Sequence, residues 1–229
     1  MRIHGLNKTT LLDYPEHVAA TVFTGGCNFC CPFCHNGDLV LHADTQPLIL
    51  EEEVMAFLNK RKGIITGVCI TGGEPTLQPD LADFIRKIKE IGLLVKLDTN
   101  GYRPEVLKAL LEADLLNYVA MDIKNSRESY AKTVGVKELD IGRIEESAAL
   151  LMESGIPYEF RTTVVRELHT KADMEAIGQW IAGADAYFLQ SFRDSEQVIE
   201  SGFDAYEREE LEDFADLLRK NITRVELRG

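Results

Sequence analysis

Gly25-Gly26-Cys27-Asn28-Phe29-Cys30-Cys31-Pro32-Phe33-Cys34-His35-Asn36 is the stretch on which the reading of this chain turns. It sets Cys27, Cys31 and Cys34 at a C-x3-C-x2-C spacing, with an aromatic, Phe33, just before the last thiol. Three thiolates on one short loop leave a four-iron cluster one ligand short. An iron with an open coordination position can bind and reduce another molecule, whereas a fully ligated cluster mostly only relays electrons. The loop, spanning 24–36, therefore points to chemistry rather than to structure alone.

Outward from this loop, short apolar runs alternate with amphipathic segments, the pattern of repeated strand-helix units and a parallel sheet. The runs predict strands over Val18 to Phe23, Gly67 to Thr71, Leu94 to Asp98, Tyr118 to Asp122, Tyr158 to Thr163 and Ala186 to Gln190. Six strands are fewer than a closed eight-fold barrel requires. Leu81, Phe84, Ile85 and Ile88 fall at i, i+3, i+4 and i+7; Leu107, Leu110 and Leu111 repeat that face behind Pro104. Both segments read as helices packed on the sheet. Leu211, Phe214, Ala215 and Leu218 mark one more. Gly25-Gly26, Gly72-Gly73 and Gly101 each follow an expected strand, where parallel sheets carry their ligand-binding loops. Segment 36–48 reads as a loop able to cover the cysteines, and the acidic stretch from Asp194 to Asp213 as a solvated face.

The 229 residues suit one domain, 1–229. Twenty-five basic and 38 acidic side chains give a formal charge of −13, which argues against general attraction to nucleic-acid phosphates or to an anionic membrane. No apolar run approaches the roughly 20 residues of a membrane span. The sequence Met-Arg-Ile-His-Gly-Leu-Asn-Lys lacks the apolar core and cleavage site of a secretion signal, so the expected location is the cytoplasm. Four of the five cysteines crowd into Cys27 to Cys34, which is no disulfide framework for a chain this long. Reduced thiols holding metal fit better. Zinc is the alternative, because Cys27-x2-Cys30 and Cys31-x2-Cys34 are adjacent C-x2-C pairs; structural zinc, however, usually draws its pairs from separate segments. Cys30 does not fit the cluster spacing and reads as a buried residue or one packed behind the ligands, and Cys69 reads as a strand-core residue. These two leave too few thiols for a second cluster held by four cysteines.

Taken together, these motifs resemble the radical S-adenosylmethionine (SAM) enzymes, and among them the activating enzymes of glycyl radical enzymes. Leu11-Leu12-Asp13-Tyr14-Pro15 followed by Ala20 to Gly26 is most similar to the activating proteins of anaerobic ribonucleotide reductases. Thr71-Gly72-Gly73-Glu74-Pro75, Asp98-Thr99-Asn100-Gly101, Met121-Asp122-Ile123-Lys124 and Arg161-Thr162-Thr163-Val164 follow in the order of that superfamily. The resemblance implies an α/β fold, a partial (β/α)6 TIM-like barrel. It also implies a [4Fe-4S] cluster on Cys27, Cys31 and Cys34 that reductively cleaves S-adenosyl-L-methionine to methionine and a 5′-deoxyadenosyl radical.

By the same resemblance, Gly72, Gly73 and Glu74 bind the methionine amino group, and Asp98 accepts from that group or from a bound cation. Asp122 and Lys124, two apart on one strand face, bind ribose hydroxyls and the SAM carboxylate. Arg161 is expected to point into an apolar barrel and so to need an anion. Phe33 and His35 line the adenine, with Gln190 where formate-lyase activators tend to carry a histidine. The implied partners are a glycyl radical enzyme, with anaerobic ribonucleotide reductase first and a pyruvate formate-lyase-like enzyme second, and reduced flavodoxin or ferredoxin as electron donor. The alternative is a radical SAM enzyme acting on a small molecule, such as a deazaguanine-forming synthase.

Overall fold

Apolar runs build the central strands of the molecule, and polar strands flank them at the two edges. The computed structural model describes every residue from Met1 to Gly229. Eight strands form one sheet: β1 (Ile3–Thr10), β2 (Ala19–Thr24), β3 (Gly67–Gly72), β4 (Leu94–Thr99), β5 (Tyr118–Asp122), β6 (Tyr158–Val164), β7 (Ala186–Ser191) and β8 (Arg224–Arg228). The six expected strands are β2 to β7; β1 and β8 are additional. Neither carries an apolar run. β1 reads Ile-His-Gly-Leu-Asn-Lys-Thr-Thr and β8 Arg-Val-Glu-Leu-Arg. Both are edge strands, where charge and glycine discourage stray pairing, and that is why periodicity missed them.

The strands lie in the sheet in chain order. β1 is antiparallel to β2, and β2 to β8 are all parallel. Each parallel crossover steps to the neighbouring strand, so right-handed connections place the helices on one face. These are α1 (Gly37–Leu41), α2 (Glu51–Lys60), α3 (Leu81–Ile91), α4 (Pro104–Glu112), α5 (Tyr130–Thr133), α6 (Ile141–Glu153), α7 (Lys171–Trp180) and α8 (Arg208–Leu218). Helix α3 shows why the local sequence works. Its Leu81, Phe84, Ile85 and Ile88 are fully buried, each contributing roughly 1.5–3 kcal/mol, and Gly92 ends it in the left-handed conformation (φ 91°). The order ends at β1 and β8, which do not pair with each other. The barrel is open. No helix is long and apolar enough to cross a membrane.

Alternation along the strands sends Val68, Ile70, Val95, Leu97, Val119 and Met121 toward the helices. The concave face is not apolar, contrary to the expectation for Arg161. It carries Cys69, Lys96, Asp98, Tyr118, Asp122, Glu159 and Arg161, tied to one another by hydrogen bonds and ion pairs. Glu159 is 1% exposed, accepts from Tyr118 Oη (2.9 Å) and is clamped by two 2.7 Å bonds from Arg228 of β8. The terminal strand is thereby fastened to the middle of the sheet. Arg228→Met leaves this carboxylate buried without its cation and should cost on the order of 3 kcal/mol. Adding Glu159→Gln should recover most of the loss, as read from thermal or urea unfolding of the single and double variants.

Candidate active site

At the carboxyl ends of the strands, a cleft of about 180 Å³ is lined by Cys27, Cys31 and Cys34 together with residues from β3, β4, β5 and β6. The cysteine loop is held from many directions. Gly26 N–H donates to Leu39 O (2.8 Å), Cys30 N–H to Val134 O (2.9 Å), Glu200 N–H to Pro32 O (2.9 Å) and Gly37 N–H to Gln197 O (3.3 Å). Two sequence expectations change here. Segment 36–48 is partly helical, with Asn36 and Val40 on the cleft wall. The start of the acidic stretch is more than a solvated face, because its backbone at Arg193 to Glu200 straps the cysteine loop from outside.

The strap after β3 explains its glycines. A Cβ on Gly73 would lie 2.1 Å from Gly26 O, and one on Gly72, whose φ is +114°, 2.4 Å from the Thr24 backbone. Their absence of side chains admits the cysteine-loop backbone, which Gly73 N–H (to Thr24 O) and Glu74 N–H (to Gly26 O) grip at 2.8 Å each. Glu74 is 1% exposed. Its carboxylate accepts from Thr76 N (3.0 Å), Thr76 Oγ1 (2.6 Å), Thr99 Oγ1 (2.8 Å) and Asn100 N (2.7 Å). Three of these donors converge on Oε1, and Oε2 accepts from Asn100 N alone. Glu74 therefore braces the β3 and β4 loops while it also lines the cleft. The braced Asn100 turns its Nδ2 toward Cys27 Sγ (3.8 Å) and Asn28 Oδ1 (2.9 Å), while the buried Asn28 Nδ2 has no protein acceptor.

Across the cleft floor, charges alternate. Lys96 bonds Asp98; Asp98 Oδ2 meets Arg161 Nη2 at 3.1 Å; Arg161 Nε donates to Asp122 Oδ1 at 2.6 Å; Lys124 Nζ donates to Asp122 Oδ2 at 2.8 Å. Arg161 thus finds its anions within the protein. Burial alone would raise the Asp98 and Asp122 carboxyls, but Arg161, with Lys96 at the first and Lys124 at the second, outweighs it and holds both below the usual carboxylate range. Lys124 is pushed the other way: burial opposes its charge, and Asp122 overcomes that and raises it. The Lys124 carbonyl is fixed by buried His169, which donates through Nε2 (2.8 Å) and accepts Val165 N–H at Nδ1 (3.0 Å).

Of the other expected residues, Phe33 lies in the cleft wall with its ring edge toward His169, and His35 donates through Nε2 to Arg193 O at 2.6 Å. Gln190 does not line the cleft; its Oε1 sits 3.5 Å from Thr163 Oγ1 on the neighbouring strand. The cleft also holds Asn36, Thr71, Thr99, Asn100 and Thr163, which the sequence reading did not single out. Thr71, Thr99, Asn100 and Thr163 stand inside quoted motifs, but only the fold shows that Thr99 and Asn100 face Glu74 and Cys27. Lys96 was missed because a lysine in an apolar run reads as an exception, not as a member of a network.

The profile of the Radical SAM superfamily matches residues 21–181. This chain belongs to the radical SAM superfamily. A candidate glycyl-radical enzyme activating enzyme of Methanocaldococcus jannaschii is 31% identical over 240 residues, covering 99% of this chain and 95% of that one. A candidate GTP 3′,8-cyclase of Sulfolobus acidocaldarius is 44% identical over 85 residues, which is 34% of this chain and 25% of the relative. Streptococcus suis SuiB bound to S-adenosylmethionine superposes with a TM-score of 0.70 over 89% of this chain and 48% of its own, at 14% identity. Radical SAM enzymes use a [4Fe-4S] cluster and S-adenosyl-L-methionine.

The residues of the cleft fit those groups. Three thiols line it, whereas Cys30, expected to be buried or packed behind the ligands, is exposed and lies outside. No three or more His, Cys, Asp or Glu side chains converge on one ion position, as a tetrahedral zinc site would need. Burial pushes the Cys27 and Cys31 thiols up to about 12, so iron binding must release protons. The charged floor lines the same cleft and presents both signs, suited to a zwitterionic ligand.

Two outcomes follow. Cys27→Ala, Cys31→Ala and Cys34→Ala should each lose most bound iron and sulfide after anaerobic reconstitution, while Cys30→Ala retains both; an iron-poor Cys30→Ala protein would reverse the assignment. The second concerns acid stability. The lowered Asp98 and Asp122 carboxyls contribute stability that is complete above the unfolded carboxyl value of about 3.9 and is lost as pH falls below it. Thermal melts of the metal-free protein between about pH 7 and pH 3 should show an acid limb. Asp122→Asn should lower Tm at neutral pH and make that limb shallower.

Proposed function

We propose that this chain is the activating enzyme of a glycyl radical enzyme, and that its partner is an anaerobic ribonucleotide reductase. The observation that carries this reading is the end-to-end match to the Methanocaldococcus jannaschii relative named for glycyl-radical activation. The Leu11 to Gly26 segment supports the choice of partner. In this reading Cys27, Cys31 and Cys34 hold the cluster, and SAM bound beside it supplies hydrogen-abstraction chemistry that side chains cannot perform. Lys124 faces the SAM carboxylate, Asp122 the ribose, Asp98 the amino-group side of the floor, and Phe33 and His35 the adenine. Backbone groups of the Gly72-Gly73 strap meet the methionine end. The open side between β1 and β8 leaves room for a glycine-bearing loop of a large protein, which a closed and filled barrel would exclude. Reduced flavodoxin or ferredoxin supplies the electron, and the partner's glycine loses the hydrogen.

The second reading, a radical SAM enzyme acting on a small molecule, is favoured by the local match to the Sulfolobus acidocaldarius relative. One experiment separates the two. The reconstituted protein, SAM and a reductant are incubated anaerobically with an anaerobic ribonucleotide reductase and, in parallel, with a pyruvate formate-lyase, and each mixture is examined by electron paramagnetic resonance. A glycyl doublet with the reductase supports the full proposal. A doublet only with the lyase moves the partner, and no doublet with either, together with turnover of a small molecule, overturns the activase reading.

A further inference from the structure

Lys96 is 2% exposed and does not reach the cleft, yet it begins the chain of charges that ends there. Its ammonium has few partners: Asp98, the Cys69 thiol at 3.8 Å and the face of Tyr118 at 5.9 Å. Taking an ammonium out of water this completely costs several kcal/mol unless it is paired. A methionine of similar volume would avoid that cost and leave Asp98 with Arg161. The arrangement makes sense in the formal charge of the ladder. Lys96, Arg161 and Lys124 face Asp98 and Asp122, so three cations meet two carboxylates and one positive charge is uncompensated. Without Lys96 the ladder would be neutral. The other buried carboxylates nearby are not contacts of the ladder's cations. Glu159 is matched by Arg228, and Glu74, held by the neutral donors of Thr76, Thr99 and Asn100, pairs with none of the three cations, so the surplus of one belongs to the ladder's own contacts.

We infer that Lys96 is a positioning residue which, by engaging Asp98, leaves the Lys124 end of the ladder with the positive charge that holds a ligand carboxylate. The inference rests on the reading of the cleft as a SAM site and adds to it a residue outside the cleft. Asp98 gives one oxygen to Lys96 and the other to Arg161; Arg161 then bridges to Asp122, and Lys124 takes the remaining Asp122 oxygen. Each link fixes the geometry of the next. The surplus charge therefore emerges where the floor meets the cysteine loop, beside the only end of the ladder carried by a residue beyond its strand, Lys124.

The test compares two ligands on the cluster-loaded protein by anaerobic calorimetry: SAM, and decarboxylated SAM, which keeps the amino and sulfonium groups and lacks only the carboxylate. Lys96→Met should weaken SAM about tenfold while changing the decarboxylated ligand by less than about twofold, at unchanged iron content. Lys96→Met/Asp98→Asn, whose ladder regains one surplus positive charge, should restore most of the preference for SAM. Should Lys96→Met fail to fold, Asp98→Asn alone carries the comparison, since it raises the surplus and must increase the ratio of SAM to decarboxylated-SAM affinity. Equal losses for both ligands, a fall in iron instead of in SAM binding, or a ratio unmoved in Asp98→Asn would each overturn the inference. Failure of the wild-type protein to bind SAM at all would instead overturn the SAM-site reading beneath it.

Discussion

The ladder from Lys96 through Asp98, Arg161 and Asp122 to Lys124 is the constraint around which this molecule is arranged. It joins side chains of β4, β5 and β6 on the concave face, and it could not exist if that face were packed with apolar residues as in a filled barrel. Placing five charges there is expensive. The cost is offset by alternation, since no member lacks an opposite charge at contact distance. A cleft floor that is already paired resists collapse and keeps its shape, so the open barrel does not need a ligand to remain open.

The cysteine loop depends on the same principle of prior engagement. Its thiols face the cleft while its backbone is bonded to the strap after β3, to the turn after α5 and to the segment after β7. Glu74 illustrates how the supports are shared. Its single carboxylate ties the β3 loop to the β4 loop, and the Asn100 it holds reaches the first thiol. Glycine at 72 and 73 serves the contact between these backbones more directly than any contact with a ligand.

Much of this was legible in the residues. The apolar runs gave the central six strands to within a residue at each end, and the C-x3-C-x2-C spacing separated Cys30 from the three thiols that line the cleft. What stayed hidden has a common physical cause: it depends on partners distant in sequence. β8 reads as a polar tail until Glu159 is seen beneath Arg228. Arg161 seemed to need an outside anion because Asp98 and Asp122 lie on other strands, and the Asp122↔Arg161 register exists only in the sheet. Gln190 stands where the resemblance puts the histidine of formate-lyase activators, and its side chain sits against Thr163.

The strap across the cysteine loop bears on when the protein can acquire its cluster. Arg193, Gln197 and Glu200 bond residues near position 35, so the loop's outer wall comes from a part of the chain synthesised long after the cysteines. During translation the thiols emerge early and stand without that wall, or the floor that Arg161 completes, until most of the polypeptide has left the ribosome. Iron delivered to the nascent chain would meet a flexible thiol-rich peptide. Iron delivered after release meets a shaped receptacle, so in this architecture maturation naturally follows folding.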